Sequence, residues 1–375
     1  MSRLDELITE LCPDGVKYKK IGECCSLVKG NTPIQKATPG EYPLVVTTSE
    51  RKTCSTFQFD QPSVCIPLVS SRGHGVASLN EIYYQDGKFA VGNILCCVTP
   101  IDQKQLSARF LYVFLNYAKD WLLVPKMQGG ANVSLSVDSI SRTRIPVPPL
   151  PVQQEIVRIL DHFTELQKQL DAELTARKKQ YEYYRDSLLT RIEDSPKKKL
   201  GETCLMRSGK AIQATMLTSM PDDDHCFPCY GGNGIRGFIK DASHSGEYPI
   251  IGRQGALCGN VNYANGDFYA TEHAIVVKSL GEYNQRFLYY LLISMNLNQY
   301  KSQGAQPGLA VSNIEKVVAS VPPLKYQEMV VSILDRFESL CNDLSSGLPA
   351  EIAARQKQYE YYRDKLLTFK ELKKS

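Results

Sequence analysis

Gln180-Tyr181-Glu182-Tyr183-Tyr184-Arg185-Asp186 returns unchanged as Gln358-Tyr359-Glu360-Tyr361-Tyr362-Arg363-Asp364. Around the two copies the match widens to Ala-Arg-x-Lys-Gln-Tyr-Glu-Tyr-Tyr-Arg-Asp-x-Leu-Leu-Thr, over 176–190 and 354–368. Chance does not produce such identity, so the chain is an internal repeat whose halves have to be compared with each other. Further echoes follow. Lys19-Lys20-Ile21-Gly22-Glu23 returns as Lys198-Lys199-Leu200-Gly201-Glu202, and Arg109-Phe110-Leu111-Tyr112 as Arg286-Phe287-Leu288-Tyr289. Val147-Pro148-Pro149-Leu150 returns as Val321-Pro322-Pro323-Leu324. The order is module, helix, module, helix, and the helices resemble each other more than the modules do.

The paired prolines cannot continue a strand or occupy a helix interior, so they mark the exit from each module. After the first pair, Pro151 to Thr190 is expected to form one long helix. Ile156, Leu160, Phe163, Gln167, Leu170, Leu174, Arg177, Tyr181, Tyr184 and Leu188 alternate steps of four and three. A stripe of average period 3.5 fits a coiled-coil seam, and some 40 residues at ~1.5 Å each extend ~60 Å. The second copy carries its seam through Val330, Leu334, Phe337, Cys341, Leu344 and Leu348, then Ile352, Arg355, Tyr359, Tyr362 and Leu366. A four-residue insertion around Ser345-Ser346-Gly347-Leu348-Pro349 predicts a kink or break, with Pro349 opening the resumed helix. The two helices are natural partners, and twofold symmetry between repeats favours antiparallel pairing. Tyr183 and Arg185, with their twins Tyr361 and Arg363, face away from the seam.

Before the first long helix, Met1 to Leu11 suits a short amphipathic helix stopped by Pro13-Asp14-Gly15. Short Val-, Ile- and Tyr-rich runs at Tyr42–Thr48, Val64–Val69, Ile82–Gln85 and Ile94–Val98 are strand signals bounded by Pro and Gly. Arg109 and Arg286 each open a helix, followed by a Gly-bearing turn at Gln128-Gly129-Gly130-Ala131 or Gln303-Gly304-Ala305.

A chain of 375 residues accommodates two ordinary domains. Its 43% hydrophobic and 22% charged content suits a globular protein. No apolar run reaches the ~18 residues of a membrane helix, and Met1 to Glu10 lacks a signal-peptide core, so a cytoplasmic location is expected. Twelve cysteines in such a chain are expected to be reduced, buried small hydrophobes. His225-Cys226-Phe227-Pro228-Cys229 lacks the second Cys-x-x-Cys that a structural zinc site needs. A net charge of +4 permits a nucleic-acid partner, with the basic groups concentrated locally or supplemented by another chain.

Phosphate-loop, dinucleotide-binding and His-Glu-x-x-His motifs are absent. Val-Pro-Pro-Leu lacks the polar first residue with which an Asn-Pro-Pro-Tyr methyltransferase motif holds its target amine. Asp14 with Glu50 and Lys52 mimics a magnesium nuclease set, the alternative being two surface turns. A protein-binding coiled-coil scaffold is a further alternative. Loops in which Gly accompanies Arg, His, Asn, Gln, Ser or Thr are more informative. In the first module these supply Asn31, Thr32, Thr47, Thr48, Ser71, Arg72 and His74, and in the second Asn233, Arg236, Arg253 and Gln254. Glycine lets backbone approach a ligand, Arg can bond guanine or phosphate bidentately, and Asn or Gln can bond adenine. Plain solvated turns are the alternative.

Taken together, the tandem Val-Pro-Pro-Leu exits, the two Gln-Tyr-Glu-Tyr-Tyr-Arg-Asp helices, Ser70–Gly75, Tyr230–Gly237, Ile251–Gly255 and Ala270–Ala274 resemble a type I restriction-modification specificity subunit. That resemblance covers essentially the whole chain. It implies an α+β fold with two mixed target-recognition domains, 1–150 and 193–324, separated by helices at 151–192 and 325–375 that pair as an antiparallel coiled coil with pseudo-twofold symmetry. It implies that each recognition domain reads half of a split double-stranded DNA target through the loop residues named above. Two methyltransferase subunits would dock, with Tyr183, Arg185, Tyr361 and Arg363 as candidate contacts, and restriction motor-nuclease subunits would join. S-adenosylmethionine, ATP and magnesium would belong to those partners, with no cofactor, metal or catalytic residue on this chain and no membrane association. The four-residue insertion departs from strict symmetry.

Overall fold

The structure, a computed structural model, describes residues 3–48, 50, 52–72, 75–192, 194–255, 257–302, 308–342 and 346–372. These form two compact units, one of residues 1–169 with 352–375 and the other of 170–351. The helix Leu150–Thr190 runs from one into the other.

The two units share a topology apart from one short extra edge strand in the second, so the repeat seen in the helices extends through the modules. In the first, an antiparallel sheet has the order Cys25–Lys29, Leu95–Pro100, Ser63–Pro67, Tyr83–Gln85. A second sheet has the order Lys52–Cys54, Tyr42–Val45, Ala90–Val91, its last pair parallel. In the second unit the equivalent sheets are Cys204–Ser208, Ala274–Ser279, Tyr248–Gly252, Val261–Ala264 and Gly234–Ile239, Phe227–Gly231, Asp267–Ala270, His244–Ser245. The parallel pair recurs, between Phe227–Gly231 and Asp267–Ala270. The lysine-rich strands Lys17–Lys20 and Lys197–Lys199 pair antiparallel with Arg144–Val147 and Val318–Ser320, tying each module's entry to its exit.

Central strands are apolar on both faces: Ser63–Pro67 is buried throughout. They pack against the amphipathic helices Ala108–Leu122 and Gln285–Ser294, whose Ser107 and Asn284 side chains cap the first turns. The cysteines are free thiols, buried except for Cys24 and Cys226, and burial pushes the Cys96 thiol up to about 12.

At each module's exit a buried glutamine performs one repeated task. The Gln153 amide donates to the Gln105 and Pro148 carbonyls at 2.7 Å each, and its oxygen accepts from the Ser107 N–H at 2.9 Å. Gln327 donates to the Glu282 and Pro322 carbonyls and accepts from the Asn284 N–H at 2.7 Å. These bonds join the cap of the module helix to the start of the long helix, so the exit is a fixed joint.

In the first unit, the N-terminal part of Leu150–Thr190 pairs with Leu348–Leu366. Phe163 stacks on Tyr362 at 5.5 Å and meets Tyr359 edge-on at 6.5 Å. In the second unit the C-terminal part pairs with Leu324–Asn342: Tyr184 stacks on Phe337 at 5.4 Å, and the Tyr326 hydroxyl donates to the Leu188 carbonyl at 2.9 Å. Rising numbers on one helix meet falling numbers on the other, so the pairing is antiparallel. Among the seam positions named from sequence that are described, all but Tyr184 are buried or half-buried. Leu344 of the seam and Ser345 of the insertion lie outside the described residues, and the helix resumes at Leu348 with Pro349 in its first turn.

The tail closes on the first unit. The Val16 N–H donates to the Lys370 carbonyl and its own carbonyl accepts from the Leu372 N–H, Arg144 pairs with Glu371, and Phe369 meets Phe110 edge-on.

Candidate nucleic-acid interface

The second module shows most clearly how strand ends assemble a site. Phe227–Gly231 and Gly234–Ile239 form a hairpin whose turn, Gly232-Asn233, is followed by Gly234 at φ +94°, a left-handed conformation that suits glycine. A bulge at Cys229/Tyr230 re-aims the hairpin. Tyr248–Gly252 ends beside it: a Cβ on Gly252 would come within 1.9 Å of the Gly232 carbonyl oxygen, so two glycines let these backbones touch. The turn Thr271-Glu272-His273 joins the same group. The Thr271 N–H donates to the Tyr230 carbonyl and the Arg253 N–H to the His273 carbonyl, both at 2.9 Å. Segments 208–210, 230–237, 252–255 and 270–274 therefore share one end of the module.

Of the residues anticipated from sequence, Asn233, Arg236 and Gln254 are exposed, and Arg253 is half-buried. Arg253 donates through Nη1 to Ser208 Oγ at 2.9 Å, while Asn260 donates to the Asn233 side-chain oxygen at 3.1 Å. Three motifs far apart in sequence, Tyr230–Gly237, Ile251–Gly255 and Ala270–Ala274, are thus brought together.

In the first module the topologically equivalent strand ends carry Asn31, Thr32, Thr47 and Thr48. They flank Val91–Asn93: the Thr32 N–H donates to the Val91 carbonyl, the Asn93 N–H to the Thr32 carbonyl, and the Gly92 N–H to the Val45 carbonyl. Asn31, Thr47 and Thr48 are exposed; Thr32 is half-buried and its hydroxyl accepts from Gln58 at 3.0 Å. Arg72 is exposed. Ser71 is engaged locally with Ser78 and with Asn80 at 2.9 Å, which gives its loop a defined turn. His74 and Gly73 lie outside the described residues.

On the coil, Tyr183 is 69% exposed and Tyr361 63%. Arg185 instead lies over the Tyr181 ring and pairs with Asp186, and Arg363 lies over Tyr117 and Tyr359 and pairs with Asp364. Gln180, Tyr183, Tyr184, Arg191, Ile333 and Phe337 line a groove of about 470 Å³. Each tyrosine is largely exposed and meets its neighbour, Tyr184 or Tyr362, edge-on, while each arginine is engaged locally.

Sequence reasoning did not pick out Asn262, Glu272 and His273 as site residues, or the two joint glutamines. Glu272 and His273 lie in the Ala270–Ala274 motif, where neighbouring charges at a strand end suit a solvated tip equally well. The nuclease alternative gains nothing. Asp14 lies in the turn after the first helix, Lys52 opens the strand Lys52–Cys54 with Glu50 just before it, and among the described residues no three His, Cys, Asp or Glu side chains gather to hold a metal. The His225 ring is held by Asp222 at 2.9 Å. Among the described residues no helix is long and apolar enough to cross a membrane.

Comparison with known proteins gives this arrangement a context. A family model described as "Type I restriction modification DNA specificity domain" matches residues 13–176 and again 192–354. The EcoprrI specificity subunit of Escherichia coli is 46% identical over 226 residues, a stretch covering 56% of each protein. A putative type I restriction enzyme specificity subunit of Haemophilus influenzae is 34% identical over 331 residues, 80% of this chain and 82% of that one. The crystal structure of a type I restriction-modification S subunit from M. genitalium matches with a TM-score of 0.61 at 18% identity, over 94% of this chain and 95% of that one, which is a likeness of fold.

Proposed function

Because the chain belongs to the type I restriction-modification DNA specificity family and carries two recognition domains in tandem, we propose that it reads a bipartite double-stranded DNA target for a modification and restriction complex. Each domain takes one half-site. The observation that carries this most directly is the convergence of Tyr230–Gly237, Ile251–Gly255 and Ala270–Ala274 at one end of the second module, with Arg236, Arg253, Gln254 and Asn233 on it. Arginine and amide side chains on glycine-lined backbone are the groups that approach a base edge closely and bond it bidentately. Asn31, Thr32, Thr47, Thr48, Ser71, Arg72 and His74 take the corresponding role in the first module.

Linking two readers makes the second binding event intramolecular, so two weak half-site contacts give one tight, spaced one. Arg236 and other exposed cations near the loops supply the phosphate attraction that positions the protein, and base contacts supply the sequence. The chain itself is non-catalytic: methyltransferase subunits, two by the symmetry of the repeat, dock through the coil at Tyr183 and Tyr361 and supply S-adenosylmethionine chemistry on adenine. Restriction subunits bring ATP and magnesium. The test is co-expression with the methyltransferase subunits and genome-wide mapping of methylated adenines. A motif split by a fixed unread spacer supports the proposal; a short continuous motif overturns it.

A further inference from the structure

Among the described residues, the buried side-chain nitrogens and oxygens without a hydrogen-bond partner are Arg253 Nε, Asn262 Nδ2, Glu272 Oε2 and His273 Nδ1. All four belong to one place, the loops and the strand Val261–Ala264 around the Gly231–Gly234 turn. Gly232 lies against the Gln254 carbonyl and the His273 Cβ, and Gly234 faces the Asn262 carboxamide. The His273 backbone carbonyl accepts from the Arg253 N–H, and His273 Nε2 pairs with Glu272 Oε1 at 3.1 Å. An unmet buried polar atom costs about 1–3 kcal/mol, so four in one cluster mark a surface shaped for groups other than its own.

Their chemistry narrows the class of ligand. Arg253 Nε and Asn262 Nδ2 can only donate, Glu272 Oε2 only accepts while ionised, and the His273 ring can do either. A phosphate offers acceptors alone and is repelled by Glu272. A metal ion is repelled by Arg253. A nucleobase edge presents donors and acceptors side by side, and the acceptor in this set requires an exocyclic amine, as on cytosine N4 or adenine N6.

We propose that Glu272 and His273, with Arg253 and Asn262, form the base-reading patch of the second recognition domain, the Glu272 carboxylate accepting from the exocyclic amine of one base in that half-site. The inference rests on the DNA-reading function proposed above and adds the residues and the kind of base edge. The His273 pairing holds one carboxylate oxygen; the other is buried in the unbound chain, and the side chain, 37% exposed, turns it to the base on binding. Exposed Arg236 contacts backbone phosphate instead.

The experiment uses the full chain with its methyltransferase subunits, and compares methylation maps for the unsubstituted complex, Glu272→Gln and His273→Asn. Glutamine keeps the size of the side chain and can still accept from His273, so the fold is expected to survive, which the thermal transition checks. Glu272→Gln should relax or switch the preference at one position of one half-site, roughly ten- to hundredfold, leaving the other half-site intact. His273→Asn should blur the same position. The salt dependence of binding should be unchanged in Glu272→Gln and shallower in Arg236→Ala. A split motif identical to that of the unsubstituted complex in Glu272→Gln overturns this inference alone, as does equal loss at both half-sites with an unshifted thermal transition. Absence of any split motif in the unsubstituted complex overturns the underlying function instead. If Glu272→Gln lowers the thermal transition, the His273→Asn map decides by the same criteria.

Discussion

Arg286 should be worth about 2–3 kcal/mol to the second unit, and its counterpart Arg109 about 1 kcal/mol to the first, although the two occupy equivalent places in the repeat. Arg286 rises from the module helix onto Leu324–Asn342, pairing with Asp335 at 2.7 Å and also with Glu338. Its guanidinium lies 4.5, 4.9 and 5.2 Å from the Tyr263, Tyr289 and Tyr290 rings. Burial pulls its pKa down, yet the bond to Asp335 and the surrounding negative charge more than offset this and leave it raised. The Arg286 side chain is only 22% exposed, with Glu338 at 24% and Asp335 at 43%, against 37% and 43% for Arg109 and Asp161. Breaking a fully buried pair costs about 3–5 kcal/mol and a surface pair at most about 1, so the first case falls between and the second near the lower limit. Removing Arg286 also strands two carboxylates together. The assay is scanning calorimetry of the full chain: for a unit of this size Arg286→Ala should lower the transition by about 5–10 °C and Arg109→Ala by about 2–4 °C. Arg286→Lys should recover only part of the loss, since a compact ammonium lacks the planar guanidinium's reach to both carboxylates and its stacking on the tyrosine rings. Equal costs for the two alanine substitutions would refute the reasoning, as would an Arg286→Ala cost unchanged by prior Asp335→Asn and Glu338→Gln.

Gly252→Ala should force the 252 strand end away from Gly232, whose carbonyl oxygen would be 1.9 Å from the new methyl, with a loss of about 1–3 kcal/mol and of discrimination at the second half-site. Gly130→Ala, with nothing within 4 Å of its added carbon, should leave stability within about 0.5 kcal/mol, and equal effects in calorimetry would contradict the packing argument. Tyr183→Ala should weaken methyltransferase binding by about 1–2 kcal/mol in titration calorimetry while leaving the thermal transition nearly unchanged, because the ring is 69% exposed. Full-strength binding by the Tyr183→Ala, Tyr361→Ala double variant would remove these tyrosines from the docking surface.

The coil was legible in the sequence because its cause is one-dimensional: a period of 3.5 in apolar residues imposes a seam wherever the helix finds a partner. The modules were legible as strands and turns, but strand pairing is set by contacts between distant segments. The parallel pairing of Phe227–Gly231 with Asp267–Ala270, which brings Tyr230 to Thr271, has no local signature. For the same reason Arg253 and Arg236 could be singled out by residue type, whereas Glu272 and His273 could not: their meaning lies in atoms left without partners once the loops have met. Gln153 and Gln327 each stand three residues after the Leu of the repeated Val-Pro-Pro-Leu. Nothing local distinguishes a buried glutamine from a solvated one there.

Aligning the two units separates what the architecture demands from what it leaves free. The joints coincide: Gln153 matches Gln327, and Arg109 with Asp161 matches Arg286 with Asp335. The loop tips do not: Leu68-Val69 occupies the place of Arg253-Gln254, and Asn31-Thr32 that of Lys210-Ala211. A glutamine with its bonds met on both sides of a joint transmits orientation rigidly, so a change at a tip alters what is touched without altering where the tip is held. Two unlike readers can then share one kind of mount. This accounts for a chain whose coil repeats Gln180–Asp186 letter for letter at Gln358–Asp364 while its recognition loops diverge.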